Sequence, residues 1–401
     1  DSGALELERL DDTPGTNINR QYQMLDDASD TYGFNVSTPF FGKGYDIEVK
    51  AGFDYFEKTR DGNNIDLAIR NFAIDDDLKA GSRIDEIFTE DNIYNPDFYV
   101  SSTGSSLFQD NTGEGDKYSA ASKLTAGYFM VDAFFNQKFR VSGGARWEEF
   151  QQVSIPYVEH SNEFADTIEE IADTIYAEDD ILPSLAFTYI PSEETQYRLN
   201  ISQTVIRPDL RDISSTFFID PLTEFLVRGS PSLVETELTN VDFRWEWYMS
   251  QGNNISVALF YKDMENPIEM VQFDGGEGVP QLLTANGEEG ELYGIEFEFL
   301  HDLSFVDDSL SNFFISGNMT LSDSEVTIGS DDQHSLFSQQ AREAYGGTIT
   351  ATITNDQRRL VGHSEWVANI QMGWDSSNGE HSASLVYNAF GERIIAPGVR
   401  G

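Results

Sequence analysis

The sequence predicts an all-β fold in which long antiparallel strands, oily on one surface and wet on the other, form the wall of a transmembrane barrel. Three observations predict it. Apolar and polar residues alternate over segments of roughly ten residues. Short connections alternate with long ones along the chain. Aromatic residues make up 13% of the 401, with 29 Phe and 17 Tyr, a load that suits girdles at two membrane interfaces.

Side chains in a strand point alternately to its two faces, so alternation in the sequence becomes segregation in the sheet. Ile47, Val49, Ala51, Phe53 and Tyr55 share one face, against Glu48, Lys50, Gly52 and Asp54. Phe139, Val141, Ala145 and Trp147 oppose Arg140, Ser142, Gly144 and Arg146. Leu185, Phe187 and Tyr189 oppose Ser184, Ala186 and Thr188, and Tyr197, Leu199 and Ile201 oppose Arg198, Asn200 and Ser202. Val241, Phe243, Trp245 and Trp247 oppose Asp242, Arg244 and Glu246, while Ile295, Phe297 and Phe299 oppose Glu296 and Glu298. Trp366, Ala368, Ile370, Met372 and Trp374, then Ala383, Leu385, Tyr387 and Ala389, complete the series. No charge falls on any of these oily faces. With Leu5–Leu10 and Asn17–Leu25 as further candidates, the count is roughly 12 to 14 strands.

Short turns are predicted at Thr38–Gly44, Asn136–Lys138, Pro191–Thr195, Ser250–Asn254, Asp302–Leu310 and Ser376–Gly379. Between them run long acidic connections: Asp75–Asp116, Ile155–Asp180, Arg207–Thr236, Asn266–Glu291 and Asp323–Arg358. This puts the long loops on one rim, with short periplasmic turns and long extracellular loops. Helix-like spacing at Ser82–Asn92 and Asn162–Ala177 predicts local helices packing on their own loops. Glycine and proline shape the approach to one strand at Gly229 and Pro231, glycine allowing positive φ and proline fixing φ near about −65°. Gly294, inside a strand, marks a bend or the close approach of another backbone.

Composition excludes several classes. With 25 Lys+Arg against 70 Asp+Glu the formal charge is −45, which argues against binding nucleic acid. There are no cysteines, so disulfides, thiolate metal sites and cysteine nucleophiles are ruled out. No apolar run is long enough for a transmembrane helix, which leaves a barrel untouched because its strands give lipid only alternate residues. The five histidines, His160, His301, His334, His363 and His381, fit no metal-binding spacing. No nucleophile elbow or phosphate loop is present, and no enzyme is predicted. No cofactor is expected. The acidic runs Asp75-Asp76-Asp77 and Glu178-Asp179-Asp180 are candidate sites for structural calcium, although neither has the spacing of a helix–loop–helix calcium loop.

The inward charges are the candidate functional residues. Arg140, Arg146, Arg198 and Arg244 share the wet face with Glu48, Glu148, Glu246, Glu296 and Glu298. They read as a lattice of wall salt bridges, or as a surface for a docked domain or a ligand path.

Ordered pieces of sequence then resemble one family. Arg207-Pro208-Asp209-Leu210-Arg211-Asp212, Gly229-Ser230-Pro231-Ser232-Leu233 and Asn240-Val241-Asp242-Phe243-Arg244-Trp245-Glu246 are similar to the barrel domain of TonB-dependent receptors. So are Leu259-Phe260-Tyr261-Lys262, Tyr293-Gly294-Ile295-Glu296-Phe297-Glu298, Leu360-Val361-Gly362-His363-Ser364 and Tyr387-Asn388-Ala389-Phe390-Gly391-Glu392-Arg393-Ile394. Tyr128-Phe129-Met130 and Gly143-Gly144-Ala145-Arg146-Trp147-Glu148 extend the likeness upstream, to a span from about Tyr32 to Arg393. The resemblance implies a 22-stranded barrel in the bacterial outer membrane, filled by a plug domain and coupled through an N-terminal box to the TonB energy-transducing complex. Its partners would be outer-membrane lipid, lipopolysaccharide and a small nutrient ligand. Residues 1–401 then read as one partial barrel domain, with no plug-like segment found and the last strands lacking. A passive porin, or a surface-structural barrel whose loops bind a partner, is the alternative. A soluble carbohydrate-binding β protein fits the long strands and one-sided loops poorly.

Overall fold

The computed structural model describes residues 18–69, 89–93, 108–110, 117–156, 175–214, 217–219, 225–250, 252–274, 280–328 and 357–397. Contacts divide the chain into two units: Asp1–Asp27 with Arg60–Ser119 and Ile155–Ala165, and Ala28–Thr59 with Ala120–Ser154 and Asp166–Gly401. The strands are β1 (Ile18–Gly42), β2 (Tyr45–Ile69), β3 (Phe108–Asp110), β4 (Lys117–Phe135), β5 (Phe139–Pro156), β6 (Tyr176–Ser192), β7 (Thr195–Ile206), β8 (Phe217–Ile219) and β9 (Leu226–Arg228). They continue as β10 (Thr236–Ser250), β11 (Asn253–Glu265), β12 (Ile268–Asp274), β13 (Pro280–Asn286), β14 (Glu289–Asp302), β15 (Phe313–Thr327), β16 (Gln357–Arg358), β17 (Trp366–Asp375) and β18 (Ser382–Phe390). One main sheet runs β1-β2-β4-β5-β6-β7-β10-β11-β14-β15-β17-β18, with β3 paired to β2 and β16 to β15. None of the described helices is long and apolar enough to cross a membrane, so any crossing is made by strands.

The registers carry the alternation from strand to strand. Phe139 lies opposite Tyr189, Val141 opposite Phe187, and Tyr197 opposite both Tyr189 and Trp245. Phe243 is flanked by Leu199 and Leu259, and Ile295 by Leu259 and Leu321. Met372 faces Ile315 and Leu385. One surface of the sheet is therefore bare hydrocarbon: Leu185, Leu259, Ile370, Met372, Leu385 and Tyr387 are all exposed. A soluble protein buries such a face, and a barrel turns it to lipid. Near the short-turn end its rings stack across four strands, Phe139 on Tyr189 at 4.9 Å, Tyr189 near Tyr197 at 6.3 Å, and Tyr197 near Phe243 at 6.5 Å. Toward the long-connection end the same surface turns acidic, with Glu149 opposite Asp179, Glu237 opposite Glu265 and Asp263 opposite Glu291. Those carboxylates mark where hydrocarbon must end.

The short turns are tighter than the sequence predicts. β1 and β2 meet through Lys43 and Gly44 alone, so the predicted turn at Thr38–Gly44 is mostly strand, and Gly44 takes φ +81°. Asn136 and Gln137 both adopt left-handed φ, 48° and 56°, as a primed hairpin turn demands. The predicted turn Asp302–Leu310 holds two short 3-10 turns, Leu303–Phe305 and Asp308–Leu310. They are capped by the Asp302 and Asp307 carboxylates, which accept from the Ser304 and Ser309 amides.

Two long connections build a structure the sequence does not predict. β8 and β9, from 207–235, and the hairpin β12–β13, from 266–288, form a separate four-stranded sheet in which β13 pairs β9 in parallel. Val227, Leu233, Leu282, Leu283 and Ala285 are buried there almost completely. Val234 N–H donates to Asn286 Oδ1 at 2.9 Å, joining the two connections. Arg358 donates to Glu269 Oε2 and to the Met270 carbonyl, both at 2.8 Å, and so ties in β16. These are folded elements rather than the plain loops expected.

In the first unit Arg60 grips Asp27 with two nitrogens at 2.7 Å, and Ser119 donates to Asp61 at 2.5 Å. Of the predicted helices, only Glu90–Ile93 is helical among the described residues, and Tyr176–Ala177 belongs to β6. Residues 162–174, Leu5–Leu10 and Asp75-Asp76-Asp77 lie outside the described residues.

Candidate functional site

The site is the wet face of the main sheet, where alternation gathers the charged groups that the oily face lacks. Glu246 lies opposite Ser256, Arg244 opposite Arg198 and Ala258, and Glu298 opposite Ser256 and Asn318. Two like charges opposed, as Arg198 and Arg244 are, need a counterion between them. Glu246 supplies it: Arg198 reaches it at 3.2 Å and Arg244 at 3.0 Å, and Arg244 also binds Glu298 and Ser256 Oγ.

A second chain of ion pairs runs through β2, β4 and β5. Arg146 binds Asp54 at 2.7 Å and Glu148 at 2.5 Å, and Arg140 holds Asp132 through two nitrogens, at 2.8 and 2.5 Å. Glu48 pairs with Lys50 on its own strand at 3.0 Å. Glu296 lies on the same face, opposite Ala258 and Thr320. All nine predicted residues thus share the wet face; Arg146, Arg198 and Arg244 pair with predicted glutamates, whereas Arg140 pairs with Asp132. Asp54, on the wet face in the sequence but not among the candidates, and Asp132, which sequence reading passed over, complete the lattice. Asp132 interrupts the run Met130-Val131-Asp132-Ala133-Phe134, and a charge at an inward position of so apolar a strand was the available signal.

Toward the short-turn end these groups line a hollow of about 770 Å³, with Glu48, Asp132, Arg140, Gln196 and Arg198 beside Phe41 and Phe134. Arg140 and Arg198 keep about half their side-chain surface open, at 56% and 51%.

Arg207 is the residue that sequence reading missed as a functional group, although it opens the motif that carried the resemblance. Its guanidinium binds Glu148 at 2.6 Å, Asp180 at 2.7 Å and Glu235 at 3.1 Å, and stacks 4.6 Å from the Phe150 ring. The backbone explains why it is needed. The β6–β7 ladder stops at Ser184–Ser202, although β6 stays paired with β5 up to Tyr176 and β7 with β10 up to Ile206. Ile190 N–H donates to the Lys138 carbonyl just before β5, so even residues of β6 point their N–H toward β5 and odd residues point theirs at β7. Pro183 is odd and has no N–H, and the ladder ends there. A cavity of about 230 Å³ opens at the split, lined by Asp180, Leu182, Thr204 and Glu237 among others, and the Arg207 side chain reaches across.

Glu178-Asp179-Asp180, the acidic run considered for calcium, is part of β6 and not of a loop. Alternation sends Asp179 to the outward face and its neighbours inward, so the three carboxylates cannot converge. Among the described residues no three Asp, Glu or His side chains are arranged to hold a metal ion.

The lipid-facing hydrocarbon, the ionic inner face and the one-sided long connections define a membrane β-barrel wall. The family model for the TonB dependent receptor-like β-barrel matches residues 4–398, and the chain belongs to that family. No curated protein sequence matches the chain significantly. Among solved structures it is similar to the siderophore receptor PiuA from Acinetobacter baumannii, at 15% identity and TM-score 0.54, over 91% of this chain and 46% of that one. The alcaligin receptor FauA from Bordetella pertussis gives 13% identity and TM-score 0.51, over 93% and 47%. The Serratia marcescens hemophore receptor HasR, solved with its hemophore HasA and heme, gives 12% and 0.53, over 93% and 55%. At these identities the likeness is one of fold. The chain spans about half the length of each.

Proposed function

We propose that residues 1–401 serve as barrel wall in a bacterial outer-membrane receptor that takes up a scarce solute by ligand-gated, energy-coupled import. The observation that supports it best is the inner face: a wall that only held lipid apart from water would not need linked ion pairs reaching from Asp54 to Glu235. Family membership supports the same reading.

On this reading the outward face meets lipid and lipopolysaccharide, and the half-open Arg140 and Arg198 receive acidic groups of a plug domain. Energy reaches that plug from the TonB complex. The formal charge of −45 disfavours anionic solutes, because a negative surface repels them during approach. A neutral or cationic solute, such as an oligosaccharide, cobalamin or a peptide, fits better. Siderophore and heme receptors share the fold, and likeness of fold does not carry their substrates over.

Growth of a deletion strain on single nutrient sources tests the proposal, together with bilayer conductance of the purified full-length protein. Loss of growth on one neutral or cationic nutrient, with no steady conductance, is expected. A defect confined to anionic ferric siderophores overturns the substrate class. Steady conductance without any nutrient defect overturns import in favour of a passive pore.

A further inference from the structure

We propose that Asp180 and Glu235 form an acid–carboxylate pair that holds one exchangeable proton, and that this proton helps fasten the 207–235 connection across the split between β6 and β7. The case starts from hydrogen-bond accounting. Glu235 is only 4% exposed. Its Oε2 accepts from Arg207 Nε, but its Oε1 is buried without a donor. Asp180 sits on the neighbouring nitrogen of the same guanidinium, its Oδ2 accepting from Arg207 Nη2 at 2.7 Å, which brings the two carboxyl groups side by side. Two carboxylates crowded onto one guanidinium repel each other, and neither can donate to the other unless one of them holds a proton.

The surroundings are one donor short. β5 contributes Glu148, β6 contributes Tyr176, Glu178 and Asp180, and the cation facing Glu235 is Arg207, which is shared with Glu148. Arg146 is spent on Glu148 and Asp54. Tyr176 accepts from the Glu235 amide at 3.4 Å; burial pushes its phenol up to about 12, so it stays neutral. Gln152, opposite Tyr176 and 3% exposed, has neither amide atom hydrogen-bonded, so it satisfies no carboxylate here. Burial and the Asp180 contact push Glu235 up to about 7, with Arg207 opposing, so the proton exchanges near neutrality. A metal ion is the weaker occupant, because no third ligand converges on the pair among the described residues.

The pair sits where the wall needs a fastener. Above Ser184–Ser202 no ladder joins β6 to β7, and Arg207 with its carboxylates replaces it. A proton shared by Asp180 and Glu235 adds a direct bond from β6 to the residue just before β10. Losing it leaves two like charges in contact. The pair stands whatever solute is carried.

Hydrogen exchange of the full-length protein in detergent micelles, read by mass spectrometry, tests the proposal. Protection of residues 176–182 and 225–236, corrected for intrinsic rates, should fall between about pH 4.5 and about pH 7, by up to roughly tenfold per pH unit, and level off above. Glu235→Gln supplies a permanent donor and should keep protection level across that range. Asp180→Asn should do the same from the other side. A flat profile in the native protein, or an unchanged slope in both variants, overturns the proposal. Restoration of protection at about pH 8 by calcium, in native protein but not in Glu235→Gln, would replace the proton with a metal ion.

Discussion

At the scale of single residues, Arg207 is the group on which most depends. One guanidinium, mostly withdrawn from solvent, serves three carboxylates that are each nearly buried. Removing one partner of a buried ionic group costs more than the pair contributes, because the charges left behind are unpaired. Arg207→Ala is therefore expected to destabilise the protein by about 3–5 kcal/mol. Denaturant melts in micelles check this, and Arg207→Lys should recover only part, since one ammonium cannot present the same fork.

His363 offers a pH prediction. It bridges two inward hydroxyls of β15, Ser322 Oγ at 2.9 Å and Ser324 Oγ at 2.8 Å, and so docks the segment that precedes β17. Burial and the Arg359 charge hold its imidazole below the ordinary histidine value. The unfolded chain then binds protons more readily than the folded one. The contribution of His363 is complete above about 6.5 and declines as pH falls from there toward the lower folded value. Proteolytic nicking at 357–365 should rise over that interval and lose its pH dependence in His363→Gln.

At the scale of elements, close approach sets the glycines. A Cβ on Gly144 would lie 2.2 Å from the Phe129 carbonyl oxygen and 2.8 Å from Met130 Cα, so β4 and β5 could not keep their spacing. Gly144→Ala should cost about 1–3 kcal/mol in the same melts, with Ser142→Ala on the same face as a near-neutral control. Gly294 fits the reading made from sequence, since its Cβ would meet the Leu321 carbonyl at 2.5 Å. Gly229 corrects one. It is not among the residues of positive φ, and its small size is needed because a Cβ there would lie within 2.7 Å of the carbonyls of Arg211, Asp212 and Ser214. The elements themselves were largely legible: every oily face read from the sequence lies on one surface of the sheet. The small sheet β8-β9-β13-β12 was not. Its strands of three to seven residues carry little periodicity, and the β9–β13 pairing joins residues more than fifty positions apart.

At the scale of the whole molecule, the two surfaces of the sheet make opposite predictions for neighbouring residues. Leu259 faces outward and is 49% exposed, while Ala258 faces inward between Arg244 and Glu296. Leu259→Arg should cost about 2–4 kcal/mol if it sits near the bilayer midplane, and Ala258→Arg far less. Folding titrations into lipid vesicles distinguish them; equal costs would mean that the outward face does not meet hydrocarbon.

Much of this protein is determined by its sequence alone, because a period of two in hydrophobicity has one consequence in a sheet. Which residues face lipid, which face inward, and that long and short connections alternate all follow from local pattern. The partners of the inward charges do not. Arg140 meets Asp132 rather than a glutamate, Arg207 reaches three elements at once, and β6 parts from β7 at Pro183. Those depend on strand order and register, which bring together groups as far apart as Asp54 and Arg146. An ion pair's energy varies with a few ångströms of separation and with burial, and neither quantity exists until the sheet has formed.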